Sequence, residues 1–369
     1  MWWFCPHDLT SGHALWCSRP VANSNPTGTR DCVEKLIAET VTDPRWFPMR
    51  FDAQQDEFRF IPVGADMHRA VTFLADVRPS DVRVVPRAAV NEVKMVQAPL
   101  HMIVHSGLGG STLLARALAQ PGIVTTFKEP PVLTDMVAFG LHSSEAETRG
   151  LIADVAALLS RPFALGEKLV CKMSSIGNGL AAAIAEIRAD TKILCLRTPL
   201  ELMLASLASR GEEGRMGGRR LYIGLQNARM TIGVLDEAQL AHHSDLQLAA
   251  LAWLSVQRMI GDLGERFGPS RVRSLTSETF LARPSESLRA IAEHFGLSLD
   301  VEARLASGVF NRHAKTGAPF DAKSRARGLS HTLAAHADEI GAIVQWTRKT
   351  AESSGVALGL PHPFVEPPV

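Results

Sequence analysis

Short hydrophobic runs alternate with helical segments over most of the chain. The run LHMIVH (residues 100–105) precedes STLLARALAQ, where hydrophobic positions recur every three to four residues. Further strand-like runs, each followed by a helical segment such as GLAAAIAEIRAD, are IVTTFKEP, KLVCKMSS, TKILCLRT and RVRSLTSE. Strands that alternate with helices are typical of βαβ units. The pattern therefore predicts an α/β fold of three layers with a central parallel sheet.

The chain before residue 96 has a different pattern. Residues 41–95 place prolines between short hydrophobic runs such as FRFIPV and VRVVP. This predicts a few short strands and one brief helix around residues 68–75. We therefore predict an N-terminal extension with a small, irregular, β-containing region of unknown role over residues 1–95. The α/β domain would then occupy residues 96–369.

The composition is that of a globular protein with a sizeable core, since 46% of the residues are hydrophobic and 21% are charged. Lys and Arg total 39 and Asp and Glu total 38, a formal net charge of +1. This balance argues against nucleic acid or an anionic membrane as the partner. No hydrophobic run approaches the roughly 20 residues that span a bilayer, so no membrane span is expected.

The cysteines indicate a reducing compartment. Their number is five, and Cys171 and Cys195 lie inside strand-like runs, where a buried free thiol is the usual state. The N-terminus has no basic region typical of a signal peptide, and we expect a cytoplasmic protein. Cys5, His7, His13 and Cys17 have side chains that bind zinc. Their spacing matches no known metal pattern, so no metal is expected.

The stretch from His105 to Thr112, HSGLGGST, is the most informative motif. It follows a predicted strand and opens a predicted helix. Glycines there let successive backbone amides turn inward, and the helix N-terminus adds partial positive charge. The motif predicts an anion cradle in which hydroxyls also contact phosphate oxygens. Its binding residues would be Ser106, Gly107, Gly109, Gly110, Ser111 and Thr112.

This loop differs from that of enzymes that use ATP or GTP. Their motif, G-x-x-x-x-G-K-[ST], has a Lys on the β- and γ-phosphates and a hydroxyl on Mg²⁺. Here Gly110 occupies the position of that Lys, and the strand KILCL continues into Arg197 where a metal-binding Asp would be needed. The loop is therefore predicted to bind phosphate without the usual Mg²⁺ site.

In this P-loop-like setting the chain resembles the sulfotransferase superfamily, especially its bacterial members. HSGLGGSTLLARAL is similar to their 5′-phosphosulfate loop, and TTFKEPPVL to the second strand, which places an acidic residue before Pro. CLRTPLELMLASLASR, SLTSETFLARPSESLRAIAEHFGL and FNRHAKTGAPFDAKSRAR resemble later family segments in the same order, over roughly residues 98–330. The resemblance implies transfer of a sulfuryl group from 3′-phosphoadenosine-5′-phosphosulfate to a hydroxyl or amine. The acceptor would be a small molecule or carbohydrate-like compound.

The resemblance also implies roles for particular residues. The donor's 5′-phosphosulfate would rest on the loop, where His105 holds a position that is often Lys or Arg. Its 3′-phosphate would contact Arg197 and a Ser about eight residues later. That position is Ala205, so Ser206 or Ser209 would serve. The remaining nucleotide contacts would come from a basic C-terminal segment through Arg312 and Lys315.

Three side chains at strand ends are the catalytic candidates. Glu129 would accept the acceptor's proton, and Lys128 and Lys172 would stabilise charge on the sulfuryl group. Glu129 would otherwise be a helix-start carboxylate, and Lys172 a lysine that snorkels from a buried strand. The His that some members place two residues after a strand-end Lys is absent, because Ser174 stands there.

Two other functions remain open. One is a P-loop kinase for a small molecule or nucleotide, and the other is a non-catalytic module that binds a nucleotide or phosphorylated ligand. The segment RGEEGRMGGRR (residues 210–220) is rich in Gly and charge. We expect it to be either a mobile loop over the acceptor site or a plain surface loop.

Overall fold

The computed structural model describes residues 26–364, with the backbone alone for residues 26–30. The side chains considered above as zinc ligands, Cys5, His7, His13 and Cys17, lie outside the described residues. The N-terminal region contains three helices and a small antiparallel sheet of strand order β1-β2-β3. Its elements are α1 (Pro26–Thr42), β1 (Trp46–Asp52), β2 (Glu57–Pro62), α2 (Ala65–Ala70), β3 (Arg83–Pro86) and α3 (Arg87–Asn91).

The second sheet is central to the molecule and is parallel throughout. Its strands are β4 (Leu100–His105), β5 (Val124–Lys128), β6 (Lys168–Lys172), β7 (Ile193–Arg197) and β8 (Val272–Thr276). They are ordered β5-β6-β4-β7-β8. Strand β4 lies in the middle, so the loop that follows it opens between the ends of β6 and β7.

Helices cover both faces of the central sheet. In chain order, the helices that follow β4 begin with α4 (Ser111–Leu118), α5 (Pro131–Gly140), α6 (Glu145–Leu159), α7 (Ala181–Ile187), α8 (Leu200–Ala208) and α9 (Gly211–Asn227). They continue with α10 (Glu237–His242), α11 (Asp245–Arg271), α12 (Ser277–Ala282), α13 (Pro284–Phe295), α14 (Val301–Ala306), α15 (Ala322–Ala335) and α16 (Ala337–Ser353). Helix α11 is interrupted at Gly268, whose backbone is not helical.

The alternation of side chains along the buried strands creates two cores. On one face Met102, Cys171 and Cys195 pack against α5, α6, α7 and α11. On the other face Ile103 and Val170 pack against α4 and α13. A third core joins α8, α11, α15 and α16. The prediction of a three-layer α/β fold with a central parallel sheet is therefore confirmed.

The N-terminal sheet packs on the central domain. Its residues belong to the same hydrophobic core as one face of the central sheet, and the rings of Phe47 and Phe127 lie 5.2 Å apart. Buried Arg161, which follows α6, donates to the carbonyls of Val41 (2.8 Å) and Trp46 (2.7 Å). The region is thus anchored to the sheet that carries the candidate site. A domain boundary near residue 95 remains a prediction.

Several local predictions can be compared with the structure. Short strands occur before residue 96 as predicted, but the single brief helix was wrong in number: α2, which begins earlier than predicted at Ala65, is accompanied by α3 and by the longer α1. The prediction of a loop over residues 210–220 was wrong, because residues 211–227 form α9. Gly218 of that helix lies against Ala249 of α11, so small residues there allow close helix packing. Cys171 and Cys195 are buried free thiols, as predicted.

The chain after α16 runs along the edge of the central sheet. Phe364 N donates to Ser274 O (3.0 Å), and Arg273 Nη2 donates to Pro363 O (3.0 Å). This segment covers β8, which would otherwise be an exposed edge strand. None of the helices described for residues 26–364 combines the length and the apolar character needed to cross a bilayer.

Candidate functional site

The loop between β4 and α4 turns sharply through left-handed backbone conformations. Gly107 has φ 85°, Leu108 φ 53° and Gly110 φ 78°. The first helical hydrogen bond runs from Leu114 N to Gly110 O (2.8 Å), and no side chain of residues 31–364 caps the helix start. The first amides of α4 therefore have no partner within the helix. Together with the turned loop, they form a set of donors suited to an anion.

Thr198, directly after β7, holds the loop in place. Its backbone N donates to Ser106 Oγ (2.8 Å) and its Oγ1 donates to Gly107 O (2.7 Å). Trp253 Nε1 in turn donates to Thr198 O (2.8 Å). A Cβ at Gly109 would overlap Thr198 Oγ1, so only glycine fits at that position. The predicted requirement for glycine in the loop thus has a specific cause at residue 109.

His105 supports the loop through both of its ring nitrogens. Nε2 lies 2.8 Å from Met173 O, and Nδ1 accepts a hydrogen bond from Gly107 N (3.1 Å). Burial and the nearby charge of Lys172 lower the pKa of His105 well below its usual value. The ring is therefore neutral, with its proton on Nε2. It therefore supplies no positive charge to the loop.

The two hydroxyl residues at the start of α4 are nearly enclosed. Ser111 is 6% exposed and Thr112 is 3% exposed. Ser277, the first residue of α12, lies close to Gly109, and Leu108 packs against the third core, which includes Leu329 of α15. The loop thus contacts the start of α12 and the third core.

Glu129 and Lys172 form an ion pair at the ends of neighbouring strands. Lys172 Nζ donates to Glu129 Oε1, and Glu129 N donates to Lys172 O (2.9 Å). The lysine side chain is 1% exposed, whereas that of Glu129 is 30% exposed. Glu129 also has a left-handed backbone, φ 55°. The structure thus brings together two of the three catalytic candidates, with the carboxylate toward solvent.

Lys128 is fully buried beneath the same edge. Its Nζ donates to the backbone carbonyl of His68 in α2. Burial, and then the charges of Arg116 and Lys172, lower the pKa of Lys128 to about 7. Its ammonium is bound to the N-terminal region rather than placed at the strand mouth.

Lys315 reaches the ion pair from the C-terminal segment. Residues 311–320 form a short hairpin in which Phe320 N donates to Asn311 O (2.9 Å) and His313 N donates to Ala318 O (2.7 Å). Burial, followed by the charge of Lys172, lowers the pKa of Lys315 to about 7, and Glu129 opposes this shift. Lys315 therefore lies within electrostatic range of the Glu129–Lys172 pair. Arg312, at the base of the hairpin, is exposed.

Ser206 lies near the same hairpin, on α8. Its Oγ accepts a hydrogen bond from Arg210 Nη2 (3.3 Å), and its carbonyl accepts one from Ser209 Oγ (3.1 Å). The charge of Arg210 acts on both Lys315 and His313. Ser206 and Arg210 are therefore on the Lys315 side of the site.

Arg197 lies in a different place. Its Nη1 donates to Leu358 O (2.5 Å) and Gln257 Oε1 (3.3 Å), and its Nε is buried without a hydrogen-bond partner among the described residues. The guanidinium lines a cleft of about 190 Å³ beside Trp253 and Arg348. No other predicted site residue lines this cleft. The two predicted 3′-phosphate ligands, Arg197 and Ser206, thus do not share it.

Potential metal ligands are not grouped in the part of the chain that the structure describes. Within residues 26–364, no three His, Cys, Asp or Glu side chains are arranged to hold an ion. Cationic side chains around the ends of β5 and β6 include Lys128, Lys172 and Lys315, and Glu129 is paired with Lys172. The charges assembled at the site favour an anionic ligand.

Sequence reasoning missed three residues that shape the site. Thr198 follows a strand end, and its position beside the loop depends on the pairing of β4 with β7. Asn178 Nδ2 donates to His105 O (2.9 Å) from a 3₁₀ turn that no sequence pattern indicates. Phe73 lies 5.4 Å from Lys315 Nζ and 6.0 Å from Lys172 Nζ, measured to its ring centroid. The rule that site residues follow the ends of parallel strands could have identified only Thr198.

No protein-family model matches this chain, and no curated protein matches it. Among solved structures it is similar to a sulfotransferase domain from the curacin biosynthetic pathway, with 14% identity, 61% of this chain and 81% of that chain covered, and a TM-score of 0.39. It is also similar to the sulfotransferase domain of the Synechococcus PCC 7002 olefin synthase, with 19% identity, coverage of 62% and 84%, and a TM-score of 0.37. A sulfotransferase from Alicyclobacillus acidocaldarius has 15% identity, coverage of 56% and 83%, and a TM-score of 0.33. Each TM-score is below 0.5, and the case for a function rests on the site.

Proposed function

We propose that the protein is a sulfotransferase that moves the sulfuryl group of 3′-phosphoadenosine-5′-phosphosulfate to a hydroxyl or amine. The acceptor is a small-molecule or carbohydrate-like compound. The observation that carries the proposal is the juxtaposition of the loop 106–110 with the Glu129–Lys172 pair at adjacent strand ends. The loop offers amides to a phosphosulfate. The pair offers a proton acceptor and a cation. The free thiols Cys171 and Cys195 favour action in the reducing cytoplasm.

The donor's 5′-phosphosulfate would rest on the amides of the loop and the first turn of α4. Ser111 and Thr112 would add hydroxyl contacts, while Ser106 and His105 would fix the loop through their bonds to Thr198 and Gly107. Because His105 is neutral, the positive charge must come from the lysines across the sheet edge. This arrangement suits a donor that arrives without Mg²⁺.

The rest of the nucleotide has two candidate contact regions. We assign the 3′-phosphate to Arg197, since a guanidinium binds phosphate in bidentate fashion and its Nε has no hydrogen-bond partner in the part of the chain that the structure describes. Ser206, or alternatively Ser209, would contact the nucleotide from α8. Arg312 and Lys315 would contact it from the hairpin of residues 311–320.

Transfer would proceed in line at sulfur. The acceptor's oxygen or nitrogen forms the new bond to sulfur while the bond from sulfur to the bridging oxygen breaks. The acceptor's proton passes to the Glu129 carboxylate, and 3′-phosphoadenosine-5′-phosphate leaves. Once protonated, Glu129 holds Lys172 less tightly, so that ammonium becomes available to the leaving phosphate oxygen. The ion pair thereby couples deprotonation of the acceptor to stabilisation of the leaving group.

Lys128 would act at a distance in this scheme. Its ammonium is bound to the carbonyl of His68 and is fully buried. Its contribution would be a positive field at the strand edge, since buried charges act through a low dielectric. We therefore propose that Lys172 contacts the sulfuryl group and that Lys128 supports it.

Thermal unfolding with two nucleotides separates this proposal from its alternatives. We expect 3′-phosphoadenosine-5′-phosphate to raise the melting temperature and ATP with Mg²⁺ to leave it unchanged, because a ligand that binds the native state stabilises it. At a ligand concentration of 100 Kd the stabilisation is about 2.7 kcal/mol. Adenosine 5′-monophosphate serves as the control for binding of the adenosine alone.

The other outcomes have defined meanings. Stabilisation by ATP with Mg²⁺ alone would reject the sulfotransferase proposal in favour of a kinase, although Gly110 replaces the kinase Lys. Stabilisation by the bisphosphate without transfer of [³⁵S]sulfate to a broad panel of alcohols, phenols, amines and sugars would favour a binding module.

A further inference from the structure

A segment of the N-terminal region forms part of the wall of the candidate site. Residues 70–73 connect α2 to the turn that follows it. Arg116 Nη2, from the helix after the phosphate loop, donates to Ala70 O (3.3 Å) and Thr72 Oγ1 (3.1 Å). Thr72 Oγ1 donates to Lys315 O (3.3 Å). The segment thus joins α4 to the hairpin that carries Lys315.

The ring of Phe73 lies near two lysines of the site. Lys172 Nζ is 6.0 Å from its ring centroid, and Lys315 Nζ is 5.4 Å from it. An aromatic ring attracts an ammonium group over its face at distances up to about 6 Å. The two lysines come from distant parts of the chain, the end of β6 and the 311–320 hairpin. The ring is a contact that both of them share.

Electrostatics explains why such a contact matters. Lys172 repels Lys315 and contributes to the lowered pKa of Lys315. Glu129 is bound to Lys172, so it offsets only part of this repulsion at Lys315. The negative face of an aromatic ring attracts both cations without neutralising either of them. It therefore suits a site that must keep positive charge available to a ligand.

We propose that Phe73 is a positioning residue of this site, holding Lys172 and Lys315 together so that both ammonium groups meet the anionic donor. The inference rests on the proposed function. It also gives residues 1–95 a role, since the N-terminal region delivers this ring to the strand edge. The anchoring bonds of Thr72 and Arg116 set the position of the ring.

Replacement of the ring tests the proposal through ligand affinity. We expect Phe73→Leu to weaken binding of 3′-phosphoadenosine-5′-phosphate roughly tenfold in isothermal titration calorimetry, because the cation–π contacts disappear. Phe73→Tyr keeps an aromatic face and should stay within about threefold of the unchanged protein. Phe139→Leu is the matched control, because Phe139 is also partly exposed and contacts Phe51 rather than the lysines.

A double-mutant cycle separates positioning from a general structural effect. In a Lys315→Met background, we expect Phe73→Leu to cause a much smaller loss of affinity, because one of its two cations is gone. An equal loss in both backgrounds, or an unchanged affinity of Phe73→Leu, would overturn the proposal. If Phe73→Leu does not fold, Phe73→Met and Phe73→Tyr are compared in the same two backgrounds.

The outcome also distinguishes this inference from the proposed function. If the unchanged protein binds 3′-phosphoadenosine-5′-phosphate and the Phe73 variants match the Phe139 control, only the role of Phe73 is rejected. If the unchanged protein does not bind this nucleotide, both proposals are rejected.

Discussion

Backbone conformations of single residues shape the candidate site. Leu108 (φ 53°) and Glu129 (φ 55°) are left-handed although neither is glycine, which costs about 1–2 kcal/mol for each. Such strain persists where the surroundings fix the backbone. Glu129 N bonds to Lys172 O, and Thr198 bonds to Gly107 beside Leu108. The strained residues thus lie where neighbouring strand ends meet.

A single substitution in the loop tests whether the loop binds the nucleotide. We expect Gly109→Ala to reduce or abolish the thermal shift with 3′-phosphoadenosine-5′-phosphate, because the new Cβ would overlap Thr198 Oγ1. Adding Thr198→Ala removes the overlapping oxygen, so the double variant should recover part of the shift. An undiminished shift in Gly109→Ala would show that the loop does not hold the ligand.

His68 should determine part of the acid sensitivity. Its ring is buried among Phe47, Phe127 and Phe163, and both ring nitrogens are without a hydrogen-bond partner among the described residues. Burial lowers the pKa of His68 to about 3. The unfolded chain binds a proton near pH 6.5 and the folded chain does not, so stability contributed by the neutral ring falls as pH falls from about 6.5 to about 3.

Replacement of His68 tests its contribution to the pH dependence of stability. We expect His68→Leu to raise the free energy of unfolding by about 1 kcal/mol at pH 7, and by more at pH 5. Urea unfolding at the two pH values measures both. A stability gain that is the same at pH 5 and pH 7 would contradict the assigned titration. Lys128 is unaffected, because it bonds to the backbone of residue 68.

At the scale of elements, the parallel sheet gathers site residues from distant parts of the chain. The ends of β4, β5, β6 and β7 carry His105, Lys128, Lys172 and Arg197. Neighbouring strand ends meet at one edge, and the Glu129–Lys172 pair forms across β5 and β6. Strand-end position therefore accounts for the approach of Glu129 and Lys172, whereas Arg197 lies in a separate cleft. It did not predict where each side chain would turn.

Arg161 connects the end of α6 to the N-terminal region. It is 2% exposed and donates to backbone carbonyls of residues 40–46. Burial lowers the pKa of Arg161 to about 9. We expect Arg161→Met to lower the free energy of unfolding by about 3 kcal/mol, because several buried carbonyls lose their donor. Urea unfolding measures the loss. The control is Arg149→Met, which removes an exposed ion pair with Glu186 and should change the free energy of unfolding by less than about 1 kcal/mol.

The proposed contact between Arg197 and the 3′-phosphate can be tested by comparing two nucleotides. We expect Arg197→Ala to lose the preference for 3′-phosphoadenosine-5′-phosphate over adenosine 5′-monophosphate, while affinity for the monophosphate is retained. Calorimetric titration of both nucleotides measures the preference. If the preference survives, the 3′-phosphate binds elsewhere, with Ser206 and Arg210 as the nearest alternative.

For the whole molecule, net charge and local charge differ. The formal net charge is +1, yet lysines from β5, β6 and the 311–320 hairpin converge at one strand edge. The N-terminal region takes part in this convergence through His68, Phe73 and Thr72. A small anion is therefore attracted to one place on a nearly neutral molecule.

This convergence predicts a pH dependence of binding. The charged groups around Lys315 are Lys172, Glu129 and Arg210, and the pKa of Lys315 is lowered to about 7. A bound anion favours the charged lysine, so affinity for 3′-phosphoadenosine-5′-phosphate should fall as pH rises from 7 to 9. Lys315→Arg keeps its charge in this range and should reduce the dependence, and Lys128, with a pKa of about 7, accounts for the part that remains. Calorimetry at pH 7, 8 and 9 measures it, and an unchanged slope in Lys315→Arg would assign the titration to another group.

Local sequence patterns were sufficient to predict the parallel α/β fold, the glycine loop and the strand-end candidates. Each follows from hydrophobic runs, helical periodicity or glycine between a strand and a helix. In contrast, the contact of Thr198 with the loop, the helix over residues 211–227 and the approach of Phe73 to two lysines became apparent only in the folded chain. These depend on which strands pair and which segments pack together. Such long-range contacts are set by the packing of the whole chain, which no local pattern records.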